Sequence, residues 1–169
     1  MTTAHVSTMD TGTPAGPFTA IVDPDGVVLA AGWTDEPETL LPQVHTTLRP
    51  TELVERTDLG DVTEAVLAYH RGDLDAVASV EVRQRSGEFL EHAWRVLRKV
   101  PAGAPVSYTE FAALAGRPAA TRAAASACAR NAVALLVPCH RVIRTDGTLG
   151  GFRWGLEVKR WLLDHEAGS

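Results

Sequence analysis

Apolar and polar positions change rhythm several times along the chain, and each change marks an element. Phe18 to Val22 and Val27 to Ala31 are short apolar runs separated by Asp23-Pro24-Asp25-Gly26, whose proline and glycine favour a turn, so a hairpin is predicted. From Thr34 to Pro50 the prolines Pro37, Pro42 and Pro50 flank Leu40-Leu41 and leave room for at most a short helix. Val62, Val66 and Tyr69 then recur at helical spacing ahead of Gly72, with Asp61 as the expected cap and Glu64 reaching back from the third helical position. Ala76 to Val82 alternates enough to predict a further strand. The first sixteen residues carry neither lysine nor arginine and no apolar run; they read as a disordered leader rather than a targeting sequence.

The second half is helical in pattern. Phe89, Ala93, Leu97 and Val100 form one apolar stripe on a helix that ends at Arg98-Lys99 and Pro101. Ser107-Tyr108-Thr109-Glu110 is a capping box that opens a short helix closed by Gly116. Pro118 suits the first turn of a next helix running to about Arg130. Two helices joined by a turn of about three residues make a helix-turn-helix. The expected organisation is a leader over 1–16, an α/β domain over 17–85 and a mostly helical domain over 86–169, the boundary falling near Arg85 to Gly87.

Composition alters this picture through charge. The chain of 169 residues carries a net charge of -5, but residues 92 to 144 hold eight arginines and lysines against the single acid Glu110, whereas residues 1 to 91 hold five bases against sixteen acids. A basic segment beside an acidic one is the footprint of a protein that presents one face to phosphate. The predicted second helix fits a groove in an unusual way. It has seven alanines between Ala119 and Ala129, and small residues let a helix backbone approach closely where long side chains would read bases in the major groove. No stretch approaches the ~18 apolar residues of a membrane span. Two cysteines, Cys128 and Cys139, make no disulfide framework, and no Cys-x-x-Cys or His-x-x-x-His pair points to a metal, so none is expected.

The candidate chemistry lies in Pro138-Cys139-His140-Arg141-Val142, straight after the apolar run Ala132 to Val137. A free thiol is only a few per cent ionised at neutral pH, so a nucleophilic cysteine needs a base to take its proton. His140 is adjacent, but neighbouring side chains on an extended backbone point apart, which makes a bridging water the easier geometry. The plain alternative is a cysteine that merely fills space beside a buried strand.

Pro138-Cys139-His140-Arg141-Val142 resembles the acceptor-site motif of the O6-alkylguanine-DNA alkyltransferases. Asn131 lies eight residues upstream and Arg122 a further nine, as in that family. Ser107-Tyr108, the Gly150-Gly151-Phe152 turn, and Lys159-Arg160-Trp161-Leu162-Leu163 followed by Glu166 are also similar, so the resemblance covers about Ser86 to Glu166, with a looser one upstream. It implies an N-terminal α/β domain, ribonuclease-H-like, with a supporting role, and a C-terminal domain with a winged-helix-like helix-turn-helix. It implies irreversible transfer of an alkyl group from O6 of guanine, and as a second candidate O4 of thymine, in double-stranded DNA to Cys139, once per molecule and without cofactor. Arg122 would fill the space left by a base flipped out through the minor groove, with Thr121, Ala123 and Ala125 facing DNA. Tyr108 would donate to the guanine ring, main-chain carbonyls at Cys139 and Val142 would meet its amino group, and the Arg153 amide would meet O6. His140 would accept the thiol proton through water, Glu166 favouring and holding the imidazolium so formed, and Asn131 would cap the alanine-rich helix and tie it to the Pro138-Cys139 turn.

The implied protein is cytoplasmic and monomeric, with DNA as its partner and neither a membrane nor an obligate protein partner. The sequence departs from the pattern at Ala132, where proline is common, and at Phe152, where tyrosine is common; Trp154 would narrow access for bulky adducts. Competing readings are a lesion-binding helix-turn-helix protein that transfers nothing, a thiol hydrolase or redox enzyme, and a transcription factor reading the major groove.

Overall fold

The computed structural model describes residues 2–168 and divides into two compact units, Met1–Arg85 with Ala132–Leu136, and Ser86–Asn131 with Val137–Ser169. The first unit is built on a four-stranded sheet in the order β3-β2-β1-β4, from β1 (Thr3–Met9), β2 (Phe18–Val22), β3 (Val28–Gly32) and β4 (Glu52–Glu55). Here the expectation of a disordered leader fails, because β1 pairs antiparallel with β2 and parallel with β4 in the interior of the sheet. Ala4, Val6 and Met9 are buried between polar residues, an alternation that lack of charge had masked. Strand β4 was also missed, since its Leu53 and Val54 are only half-buried between acids.

The predicted hairpin forms. Asp23 closes its turn, its carboxylate accepting from the amides of Asp25 and Val27. The stretch after β3 holds two single 3-10 turns, Pro37–Thr39 and Leu41–Gln43. Helix α1 (Asp61–His70) has no side-chain cap: Gly60 takes the cap position at φ 70, so Asp61 lies one residue inside the helix and the expected capping box does not form. The strand expected over Ala76 to Val82 reduces to turns and one bridge, Val28 to Val82. The far end of β3 is covered by a bridge from Ala31 to Val133, flanked by bonds from the Ala31 amide to the Ala132 carbonyl and from the Ala134 amide to the Ala31 carbonyl. In the core Trp33 Nε1 donates to His70 Nε2 at 3.2 Å. An indole can only donate, so His70 Nε2 is bare and its protonated Nδ1 donates to the Val66 carbonyl at 2.7 Å.

The second unit contains α2 (Glu88–Leu97), α3 (Tyr108–Leu114), α4 (Thr121–Ala129), α5 (Leu156–Glu166) and a parallel two-stranded ladder of β5 (Val106–Ser107) and β6 (Val142–Ile143). The capping box is present: the Glu110 amide donates to Ser107 Oγ at 3.0 Å and the Ser107 amide to Glu110 Oε1 at 3.0 Å. Helix α4 starts three residues after Pro118, at Thr121, so six residues rather than about three separate it from α3. Its Ala124 and Ala127 are fully buried, as are Ala93 and Leu97 of α2, and Trp94 Nε1 donates to the Ala127 carbonyl at 2.8 Å. Two of the seven alanines, Ala124 and Ala127, thus serve packing. Among the described residues no helix is long and apolar enough to cross a membrane.

Candidate active site

Pro138 interrupts regular structure, and the chain turns through a single 3-10 turn, Cys139–Arg141, before entering β6. The Val137 carbonyl accepts from the Cys139 amide at 2.8 Å and from Asn131 Nδ2 at 2.8 Å. Asn131 thus ties its side chain to the residue before Pro138 and closes the neck of the segment 132–136. That segment carries Leu135 at φ 73, a left-handed conformation costing a leucine about 1–2 kcal/mol. Cys139 is 9% exposed. Burial pushes its thiol pKa up, against the hydrogen bond from Asn131 and the charge of Lys159, so the resting group is a thiol.

Next to it lies a buried ionic network. Glu166 Oε2 accepts from His140 Nε2 at 2.8 Å and from Arg141 Nη2 at 3.0 Å, and its Oε1 accepts from Arg141 Nε at 2.9 Å. Arg141 Nη1 donates to the Val100 carbonyl at 2.7 Å. Burial alone would raise the Glu166 pKa, but the hydrogen bonds and charges of His140 and Arg141 outweigh it and hold the carboxylate far below its usual range. For His140 the balance goes the other way. Burial lowers its pKa more than Glu166 raises it, and Arg141 and Lys159 lower it further. Glu166 favours the charged ring as expected, but burial outweighs it, so the resting imidazole is neutral. Its Nε2–H donates to Glu166, which leaves Nδ1 as the bare nitrogen, and Nδ1 is buried with no hydrogen-bond partner among the described residues.

Tyr108, Ala125, Cys128, Ala129, Asn131 and Cys139 line a cavity of about 340 Å³, closed on another side by residues 151–154. The Tyr108 hydroxyl is pushed up to about 12 by burial, then by the negative charge that Cys128 and Cys139 would carry, so it is a hydrogen-bond donor across the neutral range. Its ring packs on Gly150, where a Cβ would stand 3.2 Å from Tyr108 Cε2 and Oη. Lys159 is fully buried, with Nζ donating to the Val142 carbonyl at 2.8 Å and the Gly151 carbonyl at 3.3 Å. Its ammonium adds positive charge near Cys139.

The structure thus gathers Cys139, Asn131, Tyr108, Ala125 and Arg153 around one cavity, and joins His140 to Glu166 through a hydrogen bond. The Val142 carbonyl already serves Lys159. Arg122, Thr121 and Ala123 lie on α4 outside the cavity lining, with Arg122 exposed. Sequence reasoning named Arg141, Lys159 and Cys128 but gave none of them a role in the site. Arg141 stands two residues after the acceptor in the motif, but only folding shows its guanidinium turned inward.

A family profile described as 6-O-methylguanine DNA methyltransferase, DNA binding domain, matches residues 88–168. The methylated-DNA--protein-cysteine methyltransferase of Salmonella typhimurium is 35% identical over 157 residues, covering 91% of each chain. Among solved structures, O6-methylguanine methyltransferase of Mycobacterium tuberculosis superposes with a TM-score of 0.77 at 31% identity, covering 98% of this chain and 93% of that one. The M. tuberculosis OGT in complex with DNA gives 0.75 at 28% identity, covering 97% and 93%.

Proposed function

This chain belongs to the O6-methylguanine-DNA methyltransferase family, and from that premise we infer that it repairs DNA by moving an alkyl group from O6 of guanine onto Cys139. The observation that carries the assignment to Cys139 is its place in the lining of a cavity of about 340 Å³, next in sequence to a neutral histidine whose buried Nδ1 is bare. An alkyl group on O6 is inside the stacked duplex, so the base must be turned out into that cavity, at a cost of a few kcal/mol. The α3–α4 pair acts as the helix-turn-helix, with Thr121, Ala123 and Ala125 against the minor groove and exposed Arg122 entering the gap in the stack.

In the cavity the Sγ of Cys139 attacks the alkyl carbon, a carbon–sulfur bond forms, and the carbon–O6 bond breaks with its electron pair going to the purine. Tyr108 meets that charge as a donor, as its raised pKa requires. The thiol proton moves through water to His140 Nδ1 and is the proton the purine finally takes. Glu166 fixes the tautomer that leaves Nδ1 free, and Lys159 favours the thiolate as it forms. The Arg153 amide receives O6. The product is a thioether with no group to displace it, so each molecule reacts once, without metal or cofactor, as a cytoplasmic monomer. O4-alkylthymine is a second substrate of the same displacement.

Incubation with a duplex carrying one O6-methylguanine, followed by intact mass and peptide mapping, tests this. One methylene gained on Cys139, saturating at one per protein and lost in Cys139→Ala, is the expected result. Binding without a mass change would mean a lesion-binding protein instead.

A further inference from the structure

Arg153 stands in the turn that follows Gly151, exposed, and its Nη2 donates to the Ala129 carbonyl at 2.6 Å. Ala129 is the last residue of α4, where carbonyls have no partner further along the helix and the dipole is negative, so a guanidinium is well placed there. Arg153 and Ala129 both line the cavity that holds Cys139, and both are exposed, whereas Cys139 and Asn131 are buried. The first pair is therefore rim and the second floor. Lys159 pins the root of the same turn from below, through the Gly151 carbonyl. The turn is held at its root by one cation and tied across the rim to α4 by another.

We propose that the Arg153 side chain is a latch on the rim of the cavity, and that its bond to Ala129 sets the size of the alkyl group that reaches Cys139. This rests on the alkyl-transfer reading and gives the site its size limit. Arg153 is a positioning residue in this role: its guanidinium touches α4, not the reacting atoms. With the bond gone, the segment Phe152-Arg153-Trp154 swings away from α4 between its fixed root and α5, and the opening widens.

The test compares the wild type, Arg153→Ala and Arg153→Lys in the full chain. Single-turnover rates are measured on duplexes carrying O6-methylguanine or O6-benzylguanine. In parallel and without DNA, Cys139 is labelled with iodoacetamide or with a bulky aryl maleimide, and peptide mapping separates it from Cys128. Pocket-size discrimination of this kind is worth about tenfold or more. Arg153→Ala is expected to raise the benzyl-to-methyl ratio and the bulky-to-small labelling ratio by about that factor, with lysine restoring most of the wild-type ratios through a donor of similar reach. Unchanged ratios, including a parallel fall of both rates, would overturn the latch. A shifted labelling ratio in a protein whose wild type takes no methyl from DNA would leave the latch standing and sink the alkyl-transfer reading.

Discussion

Replacing Glu166 by glutamine isolates the charge at the centre of the buried network. The carboxylate accepts three hydrogen bonds, two from Arg141 and one from His140, with a side chain 1% exposed. An amide has one acceptor oxygen, so its NH2 group must face a donor of Arg141 or His140, and the Arg141 cation, 8% exposed at its side chain, loses its counter-charge. Breaking a buried pair by removing one partner costs about 3–5 kcal/mol. That is a large share of the roughly 5–15 kcal/mol that holds a domain folded. For a chain of this size it lowers Tm by roughly 10 °C. Calorimetry measures the loss, and the double variant Glu166→Gln with Arg141→Met should recover most of it, because the stranded cation is then gone. A loss in Glu166→Gln below about 1 kcal/mol, the range of exposed pairs, would refute the buried-network account.

The remaining predictions concern pH, DNA and the start of α3. His140 is depressed below 6.5 in the folded chain, so below that pH the unfolded chain takes up a proton that the folded chain refuses, and stability falls. Glu166, depressed below 4.5, adds a second loss as pH falls from there toward its folded value; urea unfolding at stepped pH from neutral downward should show a plateau near neutrality and both declines, the first flattened in His140→Asn. Arg122→Ala should slow transfer from duplex DNA by about two orders of magnitude, the rate equivalent of a few kcal/mol of flipping energy, with much less effect on free O6-benzylguanine; equal loss on both substrates would contradict a role in flipping. Ser107→Ala removes the cap of α3 and should cost about 1 kcal/mol in chemical denaturation.

Where local rules were not overruled, the sequence was legible. The hairpin, the apolar stripe of α2 and the capping box at Ser107 depend on residues within a turn of one another, and they appear as expected. Elements missed or misread were those fixed by distant partners. Strand β1 is central only because β2 and β4 flank it, and Val133 meets Ala31 across about a hundred residues of chain. At Gly60 a positive φ displaced the cap expected at Asp61. In the site, Cys139, His140, Glu166, Asn131 and Tyr108 were named from motif spacing. The neutral state of His140 was not readable, because it depends on how completely folding buries the ring, with the Arg141 cation beside it lowering its pKa further.

That neutral state has a functional logic. A protein consumed by its own reaction loses one molecule for every misdirected alkylation, so a permanently ionised thiol would be a liability. Burial keeps Cys139 as a thiol, and each pKa unit above the pH leaves about tenfold less thiolate for adventitious electrophiles. His140 carries its one proton on Nε2 at rest, where Glu166 holds it, so Nδ1 is bare and the acceptor for the thiol proton is ready in advance. On the proposed mechanism the thiolate is then generated at the moment an alkyl carbon and its leaving purine occupy the cavity, with the positive charge of Lys159 nearby and the Tyr108 hydroxyl in the cavity wall as a donor. On this account iodoacetamide should label Cys139 of the free protein slowly at neutral pH, slower than a free thiol such as glutathione, while methyl transfer from DNA stays fast. Labelling faster than glutathione would show a standing thiolate, and the base would then be redundant.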